Sequence, residues 1–426
     1  MKPRVAIIGA GWAGLTAAVE LVEQADVTVF EAGRLPGGRA RRILSHDLVL
    51  DNGQHLLIGA YHECLRVMQR IGIDVETVLR RLPMRWYHVG GVDFRCPSLP
   101  APWHMALALL CARGISWCAK GQLLRALLSL KAAHWYLSSD ITVASWLAQR
   151  GQDAEIIEQF WQPLVLSVMN TPLHEASMQM MAWVLRDSVG ATRAHSDYLV
   201  PRVDLSTLFP LQACQWLAAR GATLFFGQRI RRIEPFSHAQ WKIGREVFDA
   251  VIVAVAPYHA AALLDDKKLS ASIHAFRYYP ICTVYLQFAT SLELPYPIVG
   301  VQNGTAHWLF DREKLTGERG LVAAVISAPS FQVIESHEHL IDQVLADCLR
   351  VCPALSAPPL WARVIVEKRA TFAATAGLVR PGVRLAQRGL YLAGDWVASA
   401  YYPATLEGAV KSGVAAAHAL AFDFIE

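Results

Sequence analysis

Gly9, Gly11 and Gly14 stand in the spacing Gly-x-Gly-x-x-Gly directly behind the apolar run Val5–Ile8, and an acid, Glu31, follows. These residue types at this spacing can bind a pyrophosphate. Gly9 permits a tight strand-to-helix turn, Gly11 lets backbone approach the phosphates with no Cβ between, and Gly14 lets the helix pack on the strand. The first helical N–H groups, those of Trp12 and Ala13 among them, then face the anion together with the positive end of the helix dipole. Glu31 and Ala32 end a second strand (Val27–Phe30) about 20 residues beyond the glycines, where a carboxylate accepts hydrogen bonds from a ribose 2′-OH. A carboxylate there repels a 2′-phosphate, so the pattern predicts FAD or NAD rather than NADP.

Two further segments favour FAD. Arg34–Arg39 (Arg-Leu-Pro-Gly-Gly-Arg) places flexible backbone at Gly38 and a fixed positive charge at Arg39 beside the pyrophosphate. Near the other end, the buried-looking strand Leu390–Ala393 runs into Gly394 and Asp395, a carboxylate suited to a ribityl or phosphate-side hydroxyl. Pro403 then precedes a helix expected to start near Thr405. Its first turns, with Thr405, Leu406, Glu407 and Ala409, would aim N–H groups at the flavin pyrimidine ring, where reduced flavin carries negative charge.

The elements that position these groups are interleaved along the chain. The fold class predicted is α/β, a Rossmann-like FAD-binding domain (parallel sheet with helices on both faces) interleaved with a substrate domain of mixed sheet plus helices. Residues 1–60 form the first cofactor segment and 61–200 a helical, Trp-rich insertion facing substrate or membrane. The second cofactor segment, 201–270, holds a helix over Leu211–Gly221, strands over Thr223–Phe226 and Arg229–Glu234, and a buried strand from Phe248 ending in a turn at Pro257. Residues 271–370 carry β-rich runs (Thr283–Phe288, Leu321–Ser327, Ala362–Glu367) suited to an antiparallel cavity wall. Residues 371–426 return to the cofactor domain.

These elements resemble the FAD-dependent amine oxidase and phytoene desaturase superfamily. Within it, Asp51–Tyr61, Phe160–Leu164 with Asn170–Pro172, and Gly394–Trp396 with Pro403–Ala409 are similar to the squalene-associated desaturases of hopanoid biosynthesis, now described as hydroxysqualene dehydroxylases. One departure is the insertion-like run Ala398–Tyr402. The resemblance implies FAD as cofactor, with Gly53, Gln54 and Ile230 added to its contacts, and a C30 polyprene as substrate. It implies loss of an allylic hydroxyl and hydride delivery from flavin N5, with His55 and Tyr61 as candidate proton donors and Asp51 beside them. A structural histidine at 55 and a turn or cap carboxylate at 51 are the alternatives. Trp161 and Asn170 are candidate cavity residues, with core packing explaining Trp161 at least as well. Two other functions stay open, oxidative desaturation of squalene or a carotene precursor, and a non-catalytic FAD-containing lipid-binding subunit.

Composition fits a lipid-handling enzyme. The chain of 426 residues is 54% hydrophobic and only 18% charged, against about 25% charged in an average soluble protein. A net charge of +4 is too small and scattered for nucleic acid. A core strand starting within the first residues leaves no room for a cleavable signal, so a cytoplasmic location is expected, peripheral on the inner membrane face. Eight cysteines without a Cys-x-x-Cys pair read as reduced and mostly buried, with no metal site. No second Gly-x-Gly-x-x-Gly is present to mark a nicotinamide domain, so electrons would come from an external donor, for instance an NADPH-linked one. From Pro97 to Leu147 the chain is rich in Leu, Ala and Trp, with Arg113, Lys120, Arg125 and Lys131 interspersed among Trp103, Trp117 and Trp135. That pattern suits a helix pair lying in a membrane interface, or else an ordinary buried hairpin.

Overall fold

In the first strand, Arg4–Ile8, successive side chains go to opposite faces. Val5 and Ile7 join one apolar cluster with helix Trp12–Leu21, whereas Ala6 and Ile8 join another. Both faces are buried, as a parallel strand requires. The computed structural model describes residues 2–45, 48–237, 240–264, 266–355, 357–398 and 402–425. Ser399–Tyr401, the middle of the insertion-like run, lie outside the described residues.

The central sheet has five parallel strands in the order Thr223–Phe226, Asp26–Glu31, Arg4–Ile8, Ala250–Val253 and Leu390–Leu392. Strands distant in sequence therefore lie side by side, and Ile7 pairs with both Val29 and Ile252. Helices Trp12–Leu21 and Leu406–Phe424 pack over one face with Val5, Ile7, Ile252 and Tyr391. Facing the other way, Ala6, Val251 and Val253 share a cluster with Trp241, Ile243 and Phe248 of the antiparallel sheet Glu234–Ser237, Gln240–Ile243 and Glu246–Phe248. Gly9 carries a φ of +111°, and a Cβ there would stand 2.5 Å from the Ala254 carbonyl oxygen. At Gly14 a Cβ would stand 2.0 Å from the Gly9 carbonyl oxygen, so only glycine lets the first helix sit this close.

A second sheet has seven strands, ordered Trp361–Phe372, Tyr278–Gln287, Leu321–Ser327, Trp308–Asp311, Ile298–Val301, Arg85–Val89 and Asp93–Arg95. All its pairs are antiparallel except Ile298–Val301 with Arg85–Val89. Helix His337–Val351 covers the outer face, where Leu340, Val344 and Cys348 pack with Val284, Leu286 and Ala324. The inner face presents Ile281, Trp308, Phe310 and Val325 to a cavity.

Three readings of local structure change. Residues 61–200 are not purely helical, because Leu79–Leu82, Arg85–Val89, Asp93–Arg95 and Tyr198–Pro201 are strands. Arg229–Glu234 is not a strand. Arg229, Arg231 and Arg232 are exposed there, Arg229, Ile230 and Arg231 border the cavity, and pairing begins only at Glu234. Pro257 opens the helix Pro257–Leu263 rather than closing a strand in a turn, since its fixed φ and missing N–H suit a first helical position.

Candidate active site

The N-terminal turn of helix Trp12–Leu21 starts at Gly11, which offers no side-chain cap, and no acid lies in that turn. Its amides are left for a ligand. A Cβ built on Gly11 would meet only the Cα of Gly38, 4.0 Å away. Gly11 and Gly38 thus form two backbone walls of a slot from which side chains are absent. Gly9, Trp12 and Ala13 line the same cavity, as do Glu31 and Ala32. The Glu31 carboxylate accepts from Ala10 N–H at 2.8 Å and Gly33 N–H at 2.7 Å, which leaves acceptor capacity on both oxygens. Ile230 also lines it, and the Gly394–Asp395 turn and Thr405, Leu406 and Ala409 close that end. Thr405 caps its helix by accepting from Gly408 N–H at 3.0 Å. An uncapped helix N-terminus, a glycine slot, a ribose-type acid and a second helix N-terminus on one cavity fit FAD.

Arg39 and Asp395 face each other here. Burial alone would lower the Arg39 pKa, but the Asp395 carboxylate raises it above its ordinary value. The loop Asp51–His55 is held from below. Gln54 donates to the Tyr285 hydroxyl (2.7 Å) and accepts from Arg312 (3.1 Å), while Tyr285 donates to the Asp51 carbonyl oxygen at 3.0 Å. Asn52 donates to Glu367 (3.0 Å). Tyr285, Arg312 and Glu367 escaped the sequence reading. Only the inward register of Tyr285 in its strand hinted at a role.

Gly53, Gln54, His55 and Tyr61 line the cavity. His55 Nδ1 lies 3.3 Å from the Gly53 carbonyl oxygen, an assignment that puts the proton on Nδ1 and leaves Nε2 an acceptor. Burial pushes the His55 pKa below its ordinary value, only partly opposed by Gly53. It is therefore a neutral imidazole near pH 7, a poor proton donor. Burial pushes the Tyr61 phenol far up, and its hydroxyl bonds to Thr405, so Tyr61 keeps its proton.

Three candidates lie elsewhere. Gly14 sits behind the cavity in the helix–strand contact. Asp51 is absent from the cavity lining; its carboxylate accepts from Leu205 N–H at 2.9 Å, and burial pushes its pKa up to about 6. Glu407, fully buried, accepts from Glu63 N–H (3.1 Å) and Cys64 N–H (2.9 Å), capping helix His62–Arg70. Trp161 is core, with Nε1 donating to Gln152 at 3.1 Å. Asn170 borders the cavity but is engaged throughout, accepting from Ala328 N–H (2.6 Å) and donating to Thr371 (2.9 Å) and Pro280 (3.2 Å).

Beyond this polar end the cavity continues between Met84, Trp86, Phe94, Phe160, Trp308 and Phe310, with Trp86 and Trp308 edge to face at 4.8 Å. Its volume is about 1540 Å³, above the roughly 300–1,000 Å³ of a pocket for one small ligand. Tyr402 and Asp187, hydrogen-bonded to each other, also border it. No group of three or more metal-ligating side chains occurs among the described residues. Likewise, no helix among them is long and apolar enough to cross a membrane.

Residues 12–421 match the family described as flavin containing amine oxidoreductase. Two similar curated proteins are named hydroxysqualene dehydroxylase. That of Rhodopseudomonas palustris is 30% identical over 98% of this chain and 98% of its own length. That of Zymomonas mobilis is 29% identical over 96% and 97%. Among solved structures, cyclohexylamine oxidase from Brevibacterium oxydans superposes with a TM-score of 0.75 over 100% of both chains at 16% identity, a likeness of fold.

Proposed function

The chain belongs to the flavin containing amine oxidoreductase family and is an FAD-dependent oxidoreductase, and from that premise we propose that it removes the allylic hydroxyl of hydroxysqualene to give squalene. The observation carrying this reading is the single cavity of about 1540 Å³ that joins the cofactor cradle to an aromatic, apolar sector. An amine substrate would have little use for so long an apolar extension, whereas a C30 chain needs it. The full-length similarity to hydroxysqualene dehydroxylases supports the same choice.

Bound FAD, once reduced, supplies a hydride to the substrate carbon. The carbon–oxygen bond breaks, and the hydroxyl leaves as water with one proton drawn from solvent. The chain's own residues do the rest. The slot at Gly9, Gly11 and Gly38 with Glu31, Arg39 and Asp395 binds and orients the cofactor. Trp86, Phe160 and Trp308 hold the polyprene tail and exclude water from the cavity. Tyr61, which keeps its proton, donates a hydrogen bond to the departing oxygen; neutral His55 accepts one through Nε2. Segments 1–60, 201–270 and 371–426 act as one cofactor-binding unit around the parallel sheet. The reducing electrons come from an external donor, and the protein works in the cytoplasm at the inner membrane face.

The test is anaerobic. Reduced enzyme is mixed with hydroxysqualene while the flavin band is followed and products are extracted. One squalene formed per flavin reoxidised supports the dehydroxylase. If reduced flavin persists, while oxidised enzyme is bleached by a polyprene that gains double bonds, the enzyme is a desaturase. A flavin that never responds to substrate leaves a lipid-binding subunit.

A further inference from the structure

Helices Trp103–Cys111 and Trp117–Ala132 turn apolar side chains outward. Trp103 and Trp117 are 65% and 69% exposed, and Leu110 and Leu128 each 54%. Eight of the 18 exposed large hydrophobic residues described fall within residues 99–136. This is a contiguous stretch of chain rather than the single scattered residues of an ordinary surface. Leu124 and Leu128 do two things at once, because both are exposed and both line the cavity. The cavity wall and the apolar face of this hairpin therefore share Leu124 and Leu128.

Charge is just as uneven. Between Asp93 and Asp140 the chain has Arg95, Arg113, Lys120, Arg125 and Lys131 and no acid, although the whole chain nets only +4. Lys120 is internal to the hairpin, donating to the Leu110 carbonyl oxygen at 2.9 Å with its ammonium 4.2 Å from the Trp117 ring centroid. Arg95, Arg113, Arg125 and Lys131 are exposed. A second copy of the chain would bring two like-charged faces together, which disfavours a symmetric dimer. The carboxylates that reach the hairpin, Glu155 and Asp153, are engaged by Ser116 and Gln122, and an apolar face whose own charged side chains are all cationic fits an anionic lipid surface. Helices of 9 and 16 residues are shorter than the roughly 20 needed to span a bilayer, so they lie on it.

We propose that this hairpin docks on an anionic bilayer and admits the polyprene sideways from lipid into the cavity past Leu124 and Leu128. The lipid-entry step rests on the polyprene reading; the docking does not.

Cys111 and Cys118, the two exposed cysteines of the chain's eight, both lie on the hairpin and accept an environment-sensitive fluorophore without mutation. The FAD-loaded protein is labelled there and mixed with phosphatidylcholine vesicles with or without phosphatidylglycerol. Expected are a blue shift and co-flotation with the anionic vesicles only, with partitioning reduced about twentyfold or more in Arg113→Gln/Arg125→Gln. The Trp103→Ser/Trp117→Ser variant should convert hydroxysqualene in detergent micelles within about twofold of the parent yet lose turnover of vesicle-embedded substrate. Equal binding to neutral vesicles, no shift with either, or a dimer dispersed by the tryptophan variant would overturn the proposal. Docking without conversion in any medium would instead defeat the dehydroxylase reading and leave the docking intact.

Discussion

Arg39 and Asp395 are 356 residues apart in the chain, yet Arg39 Nη2 lies 2.7 Å from both oxygens of the Asp395 carboxylate. A second arm of the guanidinium, Nη1, donates to the Ala370 carbonyl oxygen at 2.7 Å. One arginine thus ties the first cofactor segment to the last and to the end of the seven-stranded sheet. The carboxylate is largely buried, whereas the arginine side chain is about a third exposed (9% and 33%).

Asp395→Asn should therefore loosen the closure of the cavity as well as weaken cofactor contacts. Removing one partner of a buried pair costs about 3–5 kcal/mol; solvent screening at Arg39 brings the expected loss to about 2 kcal/mol. The check is urea unfolding of the FAD-free protein alongside FAD titration. A change in FAD affinity with unaltered apoprotein stability would refute the closure role.

Asp51 yields a prediction with the opposite sign from that of a catalytic acid. Burial raises its pKa from 3.8 to about 6 in the folded chain. Between those values the folded state holds a proton that the unfolded chain has released. The stabilising contribution is therefore complete below pH 3.8 and lost as pH rises through 6. Asn keeps the acceptor for Leu205 N–H and needs no charge, so Asp51→Asn should gain up to roughly 3 kcal/mol above pH 6 relative to the parent. Its stability should also be flatter between pH 4 and 6, as read by denaturant unfolding at several pH values, with turnover largely retained. Loss of turnover with intact FAD binding would restore a catalytic role.

Tyr61 and His55 separate under mutation. Tyr61→Phe removes only the donor hydroxyl and should lower turnover about 100-fold with FAD still bound. Because burial depresses the His55 pKa below 6.5, His55 stays neutral from pH 6.5 to 8, and kcat/KM should show no step from it there. Below 6.5 the unfolded chain takes up the proton that folded His55 refuses, so stability declines as pH falls. A rate that drops with an apparent pKa near 7 and loses that drop in His55→Gln would make the imidazolium the acid instead.

The glycine turns and both ends of the parallel sheet were readable because backbone chemistry there demands particular residues. Thr223–Phe226 and Leu321–Ser327 have the bounds their apolar runs suggested. Glu407 was not readable: it sits in a segment resembling a flavin contact, yet its carboxylate caps Glu63 and Cys64, more than 340 residues away in sequence. Likewise, Arg85–Val89 has only a short half-buried alternation, and its strand exists because Ile298–Val301 and Asp93–Arg95 receive it on either side. Tertiary partners decide such cases, and local pattern carries little of them.

Val325 offers a test of substrate length. It lies on the strand Leu321–Ser327, paired to Ile281–Gln287 on one side and to Trp308–Asp311 on the other. Register is thus fixed on both edges, and a larger side chain at 325 cannot slip to the outer face. Val325→Phe must push its ring toward Trp308 and into the apolar sector, at a folding cost of about 1–3 kcal/mol. Hydroxysqualene turnover should fall at least about tenfold through KM, because one extra ring displaces part of the C30 chain. A farnesyl-length allylic alcohol, which need not reach that sector, should be reduced at the parental rate. Competition between the two alcohols in one reaction, with products resolved by gas chromatography, gives the ratio directly; an equal loss for both would place the polyprene elsewhere.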